Sequence, residues 1–152
     1  MTDPRALLER TSTIAVVGIS RNPYKDAARI PAQMQMAGYR IVPVNPIAET
    51  LLGEKVYRTL ADIPSPVDLV NVFRPSDQAP GIVRQAIAVG VAGVWLQLGI
   101  SSPEARRLAE EAGLDYVENR CIAVEMARHG LIKHECSDAG GDGLVSAPEP
   151  SR

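Results

Sequence analysis

The sequence predicts a doubly wound α/β fold, in which a parallel sheet of about five strands carries helices on both faces. Short apolar runs recur along the chain, each run precedes a segment with helical spacing of apolar residues, and the runs show no strict polar alternation. Strands without that alternation are typical of a sheet covered on both faces. A strand and helix order repeated about five times predicts parallel neighbours joined by crossover helices.

The predicted strands are the apolar runs themselves. In chain order they are Ile14–Val17, Ile41–Val44, Val67–Val72, Gly93–Leu98 and a weaker run at Asp115–Val117. In a doubly wound sheet the ligand lies beyond the carboxyl ends of the strands. The residues that follow each run are therefore the candidates for a functional site.

The predicted helices lie between the strands and show apolar stripes. The stripes are Ile30, Met34 and Ala37, then Ile82, Val83, Ala86 and Ile87, then Ala105, Leu108, Ala109 and Ala112. Glycines at 38, 90 and 113 follow them, as expected where helices end in a left-handed residue. Ser101, with Glu104 three residues on, predicts a capping box before the third stripe. A last helix is expected from near Cys121 to His129, with Gly130 ending it.

The two ends of the chain differ from this repeating unit. Asp3 to Arg10 predicts a short helix with proline at its first position. From residue 135 the sequence turns to Gly, Ser, Pro and Ala, which bury too little surface to offset the entropy of ordering them. We therefore expect one domain over residues 1–134 and a disordered tail over 135–152.

Composition excludes several classes of function. The chain of 152 residues is 45% hydrophobic and 22% charged, with 16 Lys and Arg against 18 Asp and Glu, so no global basic charge favours nucleic acid. No apolar stretch approaches the roughly 18–20 residues of a membrane span, and the N-terminus carries no export signal. Two cysteines and two histidines make a metal site a poor hypothesis. A cytoplasmic protein is expected, with no nucleic acid or membrane as a partner.

The loop after the first strand carries the strongest chemical signal. Gly18 ends the strand and allows close approach of a phosphate, and the next helix offers free N–H groups. Ser20, Arg21, Asn22 and Lys25 add donors and positive charge. This pattern predicts a ligand that carries phosphate, whereas the alternative is an ordinary turn with solvated charges.

The second strand ends without the features of a nicotinamide site. Gly18 is followed by Ser20 where a dinucleotide fingerprint has its second glycine, and no third glycine follows. Asn45 and Pro46 stand where an acidic residue would hold the ribose of NAD. They can line an adenine or ribose edge, or they can form a turn that needs no ligand.

The ends of two further strands offer aromatic and polar groups. Phe73 and Arg74 can stack on a purine and pair with a phosphate, or they can pack in the core and bind a surface carboxylate. Gln97 lies in an apolar run, so its amide needs a partner, which is either backbone or ligand.

Five segments in this order resemble one family, the small stand-alone CoA-binding proteins. These in turn resemble the nucleotide-binding N-terminal domain of the succinyl-CoA synthetase alpha subunit. The resemblance covers about residues 5–133. It is carried by Gly18-Ile19-Ser20-Arg21-Asn22-Pro23, Pro43-Val44-Asn45-Pro46, Asp68-Leu69-Val70-Asn71-Val72-Phe73-Arg74, Val94-Trp95-Leu96-Gln97-Leu98-Gly99-Ile100 and Asn119-Arg120-Cys121-Ile122.

The resemblance implies a Rossmann-like CoA-binding domain without the catalytic histidine domain and partner subunit of the synthetase. It assigns Gly18, Ser20, Arg21, Asn22 and Lys25 to the phosphates, and Asn45, Pro46, Phe73 and Arg74 to the surroundings of the adenosine. Gln97 and Gly99 then follow the path of the pantetheine. Relatives often have a serine after Asp26, but this chain has Ala27 and Ala28, so a hydroxyl contact to phosphate from that helix start is lost.

Catalysis would need a nucleophile beside a base. His129 follows Cys121 by eight residues, about 12 Å along a helix axis, so the two cannot pair directly. His134 lies at the start of the tail. Cys121 follows Arg120 at a helix start that favours a thiolate; it is either a core cysteine or a thiol that faces the crevice and can form a mixed disulfide with CoA.

We therefore expect a module that binds coenzyme A or acyl-CoA and is not itself an enzyme. One alternative is an NAD(P)-binding oxidoreductase or redox sensor on the same fold, and another is an interaction domain with an empty crevice. The sequence leaves a homodimer open and does not identify a protein partner.

Overall fold

The computed structural model describes residues 2–132. The tail predicted at 135–152, together with His134 and Cys136, lies outside the described residues. The helices are α1 (Pro4–Glu9), α2 (Asp26–Met36), α3 (Ala79–Val89), α4 (Pro103–Glu111) and α5 (Ile122–Arg128). The strands are β1 (Thr13–Val17), β2 (Arg40–Val44), β3 (Thr50–Leu51), β4 (Glu54–Lys55), β5 (Leu69–Val72), β6 (Gly93–Leu96) and β7 (Asp115–Val117).

The predicted fold class is confirmed. Five strands form a parallel sheet in the order β2-β1-β5-β6-β7. The strand order reverses at β1, whose two neighbours are β2 and β5. In doubly wound sheets the carboxyl ends beside such a reversal open into the ligand crevice.

Apolar side chains cover both faces of the sheet, because successive strand residues point to opposite sides. On one face, α1, α2 and α5 pack on strand residues that include Ile14, Leu69 and Trp95. On the other face, α3 and α4 pack on strand residues that include Ala15 and Val70. The apolar runs therefore lack polar alternation because each strand is buried on both sides.

Several predicted boundaries shift in the structure. The predicted strand at Val67–Val72 begins at Leu69. The Asp68 carboxylate, just before it, accepts hydrogen bonds from the Ser12 and Thr13 N–H groups, each at 2.9 Å. The predicted strand at Gly93–Leu98 ends at Leu96.

The predicted capping box at Ser101 is wrong by one residue. Ser102 caps α4, and its Oγ accepts from the Ala105 N–H at 3.1 Å. Glu104 instead pairs with Arg84 at 2.8 Å. Only Ser101 has a glutamate three residues on, so the capping-box pattern favoured the serine that does not cap the helix.

A small hairpin of β3 and β4 follows β2 and was not expected from the sequence. Leu52 and Gly53 form its tip, and both have positive φ, 56° and 74°. Turns of this kind favour Asn-Gly, so the leucine at the first position gave no turn signal.

A polar cluster ties the end of β7 to α4. The Glu118 carboxylate accepts from the Tyr116 hydroxyl at 2.9 Å and pairs with Arg106 at 3.1 Å. Burial alone would raise the pKa of Glu118, but the hydrogen bonds from Tyr116, Arg106 and the Ser102 N–H outweigh it and hold that pKa below its usual value.

Candidate functional site

An open cleft of about 770 Å³ lies at the carboxyl ends of β1, β2 and β5. Gly18 leaves β1 with φ of 87°, and its N–H donates to the Val44 carbonyl at 3.3 Å. The Phe73 N–H donates to the Val17 carbonyl at 2.9 Å, which brings the end of β5 against the same loop. The cleft therefore opens at the point where the strand order reverses.

Glycine is required at position 18 for two reasons. Its φ lies in the left-handed region, and a Cβ there would lie 2.7 Å from the Phe73 carbonyl oxygen and 2.8 Å from Arg74 Cδ. The backbones after β1 and β5 approach each other closely only because no side chain intervenes.

The loop at residues 18–25, which we name the phosphate loop after the role that the sequence predicts for it, is held by its own side chains. Ser20 Oγ accepts from the Asn22 N–H, and Asn22 Oδ1 accepts from the Tyr24 N–H, each at 3.0 Å. The Ser20 hydroxyl hydrogen and the Asn22 NH₂ group remain available as donors. No side chain caps α2 at Lys25. The loop thus directs donors and a helix N-terminus toward the cleft.

Positive charge is concentrated at the cleft. Arg21, Lys25 and Arg74 line it, and no aspartate or glutamate of residues 2–132 does. None of the three forms an ion pair with a carboxylate of residues 2–132, and Arg74 Nε donates only to the Gln78 amide, at 3.0 Å. Of the other Lys and Arg side chains of residues 2–132, Arg40 and Lys55 also form no such pair, whereas nine arginines do: Arg5, Arg10, Arg29, Arg58, Arg84, Arg106, Arg107, Arg120 and Arg128. The cleft is therefore suited to an anion.

Asn45 links the end of β2 to the phosphate loop. Its Nδ2 donates to the Ile19 carbonyl at 2.9 Å, and its Oδ1 accepts from the Ile47 and Ala48 N–H groups, each at 2.8 Å. The side chain therefore stabilises the turn at the end of β2. Pro46 and Ile47 form the exposed wall of the cleft on this side.

Arg58 is a residue that the sequence reasoning missed. Its guanidinium donates to the carbonyls of Asn45, Ala48 and Ile47, at 2.9, 2.7 and 3.3 Å, and pairs with Glu49 at 3.2 Å. This one side chain holds the wall segment 45–49 in place. Nothing local in the sequence connects Arg58 to that segment, since the contact depends on the hairpin bringing them together.

Gln97 and Gly99 are apart from the residues that line the cleft. Gln97 is buried, its Nε2 donates to Asn71 Oδ1 at 2.6 Å, and its Oε1 accepts from the Ile122 N–H at 3.3 Å. The Gly99 N–H donates to Asn119 Oδ1 at 2.7 Å. The structure therefore brings together nine of the eleven predicted site residues and uses the polar groups of the other two within the protein.

The candidate nucleophile and base are separated. Cys121 is half-buried and precedes α5, whereas His129 follows that helix and its Nε2 contacts the Glu125 carboxylate at 3.4 Å. Within residues 2–132 no group of three or more His, Cys, Asp or Glu side chains could hold a metal ion. No helix in this part of the chain is long and apolar enough to cross a membrane.

The profile of the CoA binding domain family matches residues 12–127, which include β1, the phosphate loop and every strand of the sheet. The chain belongs to the CoA binding domain family. The sequence resemblance to stand-alone CoA-binding proteins is thereby confirmed.

Relatives of the CoA binding domain occur alone and within larger enzymes. The uncharacterized Bacillus subtilis protein YneT is 37% identical over 123 residues, which are 81% of this chain and 91% of YneT. An ADP-forming acetate–CoA ligase II of Archaeoglobus fulgidus is 30% identical over 78% of this chain, but the match spans only 17% of the ligase. A solved structure from Thermus thermophilus superposes with a TM-score of 0.79 at 37% identity, covering 84% of this chain and 98% of its own.

Proposed function

We propose that this CoA binding domain holds coenzyme A or an acyl-CoA as a binding module and performs no chemistry on it. One observation carries the proposal. Among the described residues, the cleft at the strand-order reversal has no acidic side chain and three cations without a carboxylate partner, Arg21, Lys25 and Arg74. Coenzyme A has a diphosphate and a separate 3′-phosphate, so its nucleotide end is the most highly charged part of the molecule.

We assign each part of the ligand to the wall of the cleft whose chemistry suits it. The diphosphate lies against the phosphate loop, where Gly18 allows close approach, Ser20 and Asn22 donate hydrogen bonds and Arg21 and Lys25 supply charge. The adenosine end lies between the wall at Asn45 and Pro46 and the opposite side at Phe73 and Arg74. The pantetheine leaves toward the carboxyl end of β6, where it passes the backbone at Gln97 and Gly99.

A non-catalytic role is supported by the separation of Cys121 from His129. Acyl transfer to or from the thiol of CoA needs a nucleophile and a base within hydrogen-bond distance. His129 is instead engaged with Glu125 on the last turn of α5.

A thermal-shift comparison tests the proposal. CoA, acetyl-CoA, NAD and NADP are added in parallel at equal concentrations. A ligand at a hundred times its dissociation constant stabilises the fold by about 2.7 kcal/mol, which raises the melting temperature of a chain this size by roughly 5–11 °C. We expect a rise of this size with CoA and acetyl-CoA. A rise with NAD or NADP and none with CoA would overturn the proposal.

A further inference from the structure

The cleft holds a local excess of positive charge. Arg21, Lys25 and Arg74 line it without a carboxylate partner among residues 2–132. The same residues contain 14 Lys and Arg and 14 Asp and Glu, so this part of the chain is neutral as a whole. The three cations therefore concentrate charge at one place on a balanced domain.

The opposite charge lies in the sequence that follows the domain. Residues 135–152, which we call the acidic tail, contain four carboxylates and a single basic side chain, Arg152. The four carboxylates are those of Glu135, Asp138, Asp142 and Glu149. The formal net charge of -2 of the whole chain therefore arises entirely after residue 132.

The acidic tail begins within reach of the cleft. α5 starts beside the carboxyl end of β6, where the Ile122 N–H donates to Gln97 Oε1, and its seven residues are about 10 Å long. Leu131 packs on the face of the sheet that carries α2, the helix after the phosphate loop. The described chain thus ends roughly one helix length from the cleft. A flexible chain of ten residues has a root-mean-square length of about 16–19 Å, which brings Asp138 or Asp142 to the phosphate loop.

We propose that the acidic tail occupies the cationic cleft when no ligand is bound, so that CoA must displace it. The inference rests on the proposed function, because it concerns the regulation of the same cleft. Carboxylates of the tail pair with Arg21, Lys25 and Arg74 in the place of phosphates. Attachment to the domain gives the tail an effective concentration on the order of millimolar at the cleft, whatever the protein concentration.

The phosphates of CoA compete well with such a segment. They lie close together on one nucleotide, whereas neighbouring carboxylates of the tail are three to seven residues apart. Ordering the tail also costs conformational entropy. The apparent dissociation constant of CoA is the intrinsic one divided by the fraction of open clefts. A tail that covers the cleft for about two thirds of the time therefore weakens CoA binding about threefold.

Neutralising the tail in the full chain tests the inference. The tail variant replaces the four acids by neutral polar residues: Glu135→Gln, Asp138→Ser, Asp142→Ser and Glu149→Gln. Isothermal titration with CoA is done at about 0.1 M salt, where the Debye length is about 10 Å. We expect the tail variant to bind CoA about threefold or more tightly than the unchanged chain. This ratio should fall toward one as salt is raised, because salt screens the ion pairs of the tail.

A control variant has the same net charge as the tail variant. It carries Asp62→Ser, Glu104→Gln, Glu110→Gln and Glu111→Gln, at exposed positions that do not line the cleft. Exposed ion pairs contribute little to stability, so the control should remain folded. Its CoA affinity should stay within about 1.5-fold of the unchanged chain, because its charges lie more than a Debye length from the cleft. Equal tightening in the two variants would reflect net charge alone and would overturn the inference.

Amide NMR spectra without ligand give a second readout. Relative to the unchanged chain, the tail variant should shift the amide signals of residues 18–25 and of Arg74, and the control variant should not. Saturating CoA should remove the difference between the tail variant and the unchanged chain, because the tail is then displaced from the cleft.

The outcomes separate the inference from the proposed function. If neither the unchanged chain nor the tail variant binds CoA, the proposed function fails, and the amide signals still decide whether the tail contacts the phosphate loop. If CoA binds with the same affinity to both, or if the amide signals of the loop do not change, the inference is overturned. Weaker binding by the tail variant would mean that the tail contacts bound CoA, and it would also overturn the inference.

Discussion

Replacing Gly18 by alanine tests whether the close approach of β1 and β5 shapes the site. The new Cβ would lie 2.7 Å from the Phe73 carbonyl oxygen, 2.8 Å from Arg74 Cδ and 3.0 Å from the Phe73 carbonyl carbon. Two of these three atoms belong to the backbone at the end of a buried central strand. The phosphate loop must therefore move away from β5, because the strand cannot yield.

A matched control, Gly90→Ala, gives the expected size of the destabilisation. Gly90 has nearly the same φ, 82°, but a Cβ there meets nothing within 4 Å. Gly90→Ala therefore bears only the left-handed backbone cost of about 1–2 kcal/mol. Gly18→Ala bears the same cost and also the overpacking, which typically costs about 1–3 kcal/mol. At about 2–4 °C per kcal/mol, Gly18→Ala should melt roughly 2–12 °C below Gly90→Ala.

Thermal and urea unfolding of the two variants measure this difference, and titration with CoA measures the effect on the cleft. Gly18→Ala should bind CoA more weakly because the displaced loop no longer directs its donors at the diphosphate. Gly90→Ala should bind like the unchanged protein. Equal melting temperatures and equal CoA affinities in the two variants would refute the reasoning.

Three further predictions concern charge. Arg21→Ala and Lys25→Ala should each weaken CoA binding about tenfold or more and reduce its salt dependence, since a hydrogen bond to a charged group contributes about 1.5–3 kcal/mol. Arg84→Ala on α3 is the control. Unchanged affinity in both loop variants would mean that the phosphates bind elsewhere. Arg58→Gln should speed hydrogen exchange at the amides of residues 47 and 48 and weaken CoA, and Arg58→Lys should not restore either, because an ammonium cannot reproduce the guanidinium fork. The folded-state pKa of Glu118 lies below its ordinary value of 4.5, so its contribution to stability is complete above that pH and is lost as the pH falls through the folded-state pKa. Glu118→Gln should therefore lower the free energy of unfolding, measured in urea, by more at pH 7 than at pH 3. An equal decrease at the two pH values would contradict this expectation.

The sheet and the phosphate loop could be predicted because their signals are local. An apolar run that ends in Gly18 gives both a strand and its carboxyl end, and Arg21, Asn22 and Lys25 follow within one loop. The topology of such sheets then places the ends of β1, β2 and β5 at one crevice. The cleft-lining residues that follow those strand ends closely in sequence could therefore be predicted.

The parts that were missed depend on contacts between distant segments. Two-residue strands at Thr50–Leu51 and Glu54–Lys55 are too short for a periodic pattern, and Leu52 gives no turn signal. Without the hairpin, the contacts that Arg58 makes with residues 45–49 cannot be foreseen. At Gln97 the sequence does give a signal, because a buried amide needs a hydrogen-bond partner. The sequence alone does not show whether that partner is protein or ligand, and in the structure it is Asn71.

The charge pattern also limits how the protein can select its ligand. The three cleft cations come from two segments, the phosphate loop and the end of β5, so one anion that contacts both ties these segments together. NAD lacks the third phosphate of CoA, and Asn45 cannot replace the acidic residue of an NAD site because its Oδ1 already accepts two backbone N–H groups. NADP does carry a third phosphate, so charge alone does not distinguish it from CoA. The proposed selection against NADP would therefore have to come from shape, through the close approach at Gly18, the wall held by Arg58 and the path proposed for the pantetheine, where NADP would carry its nicotinamide.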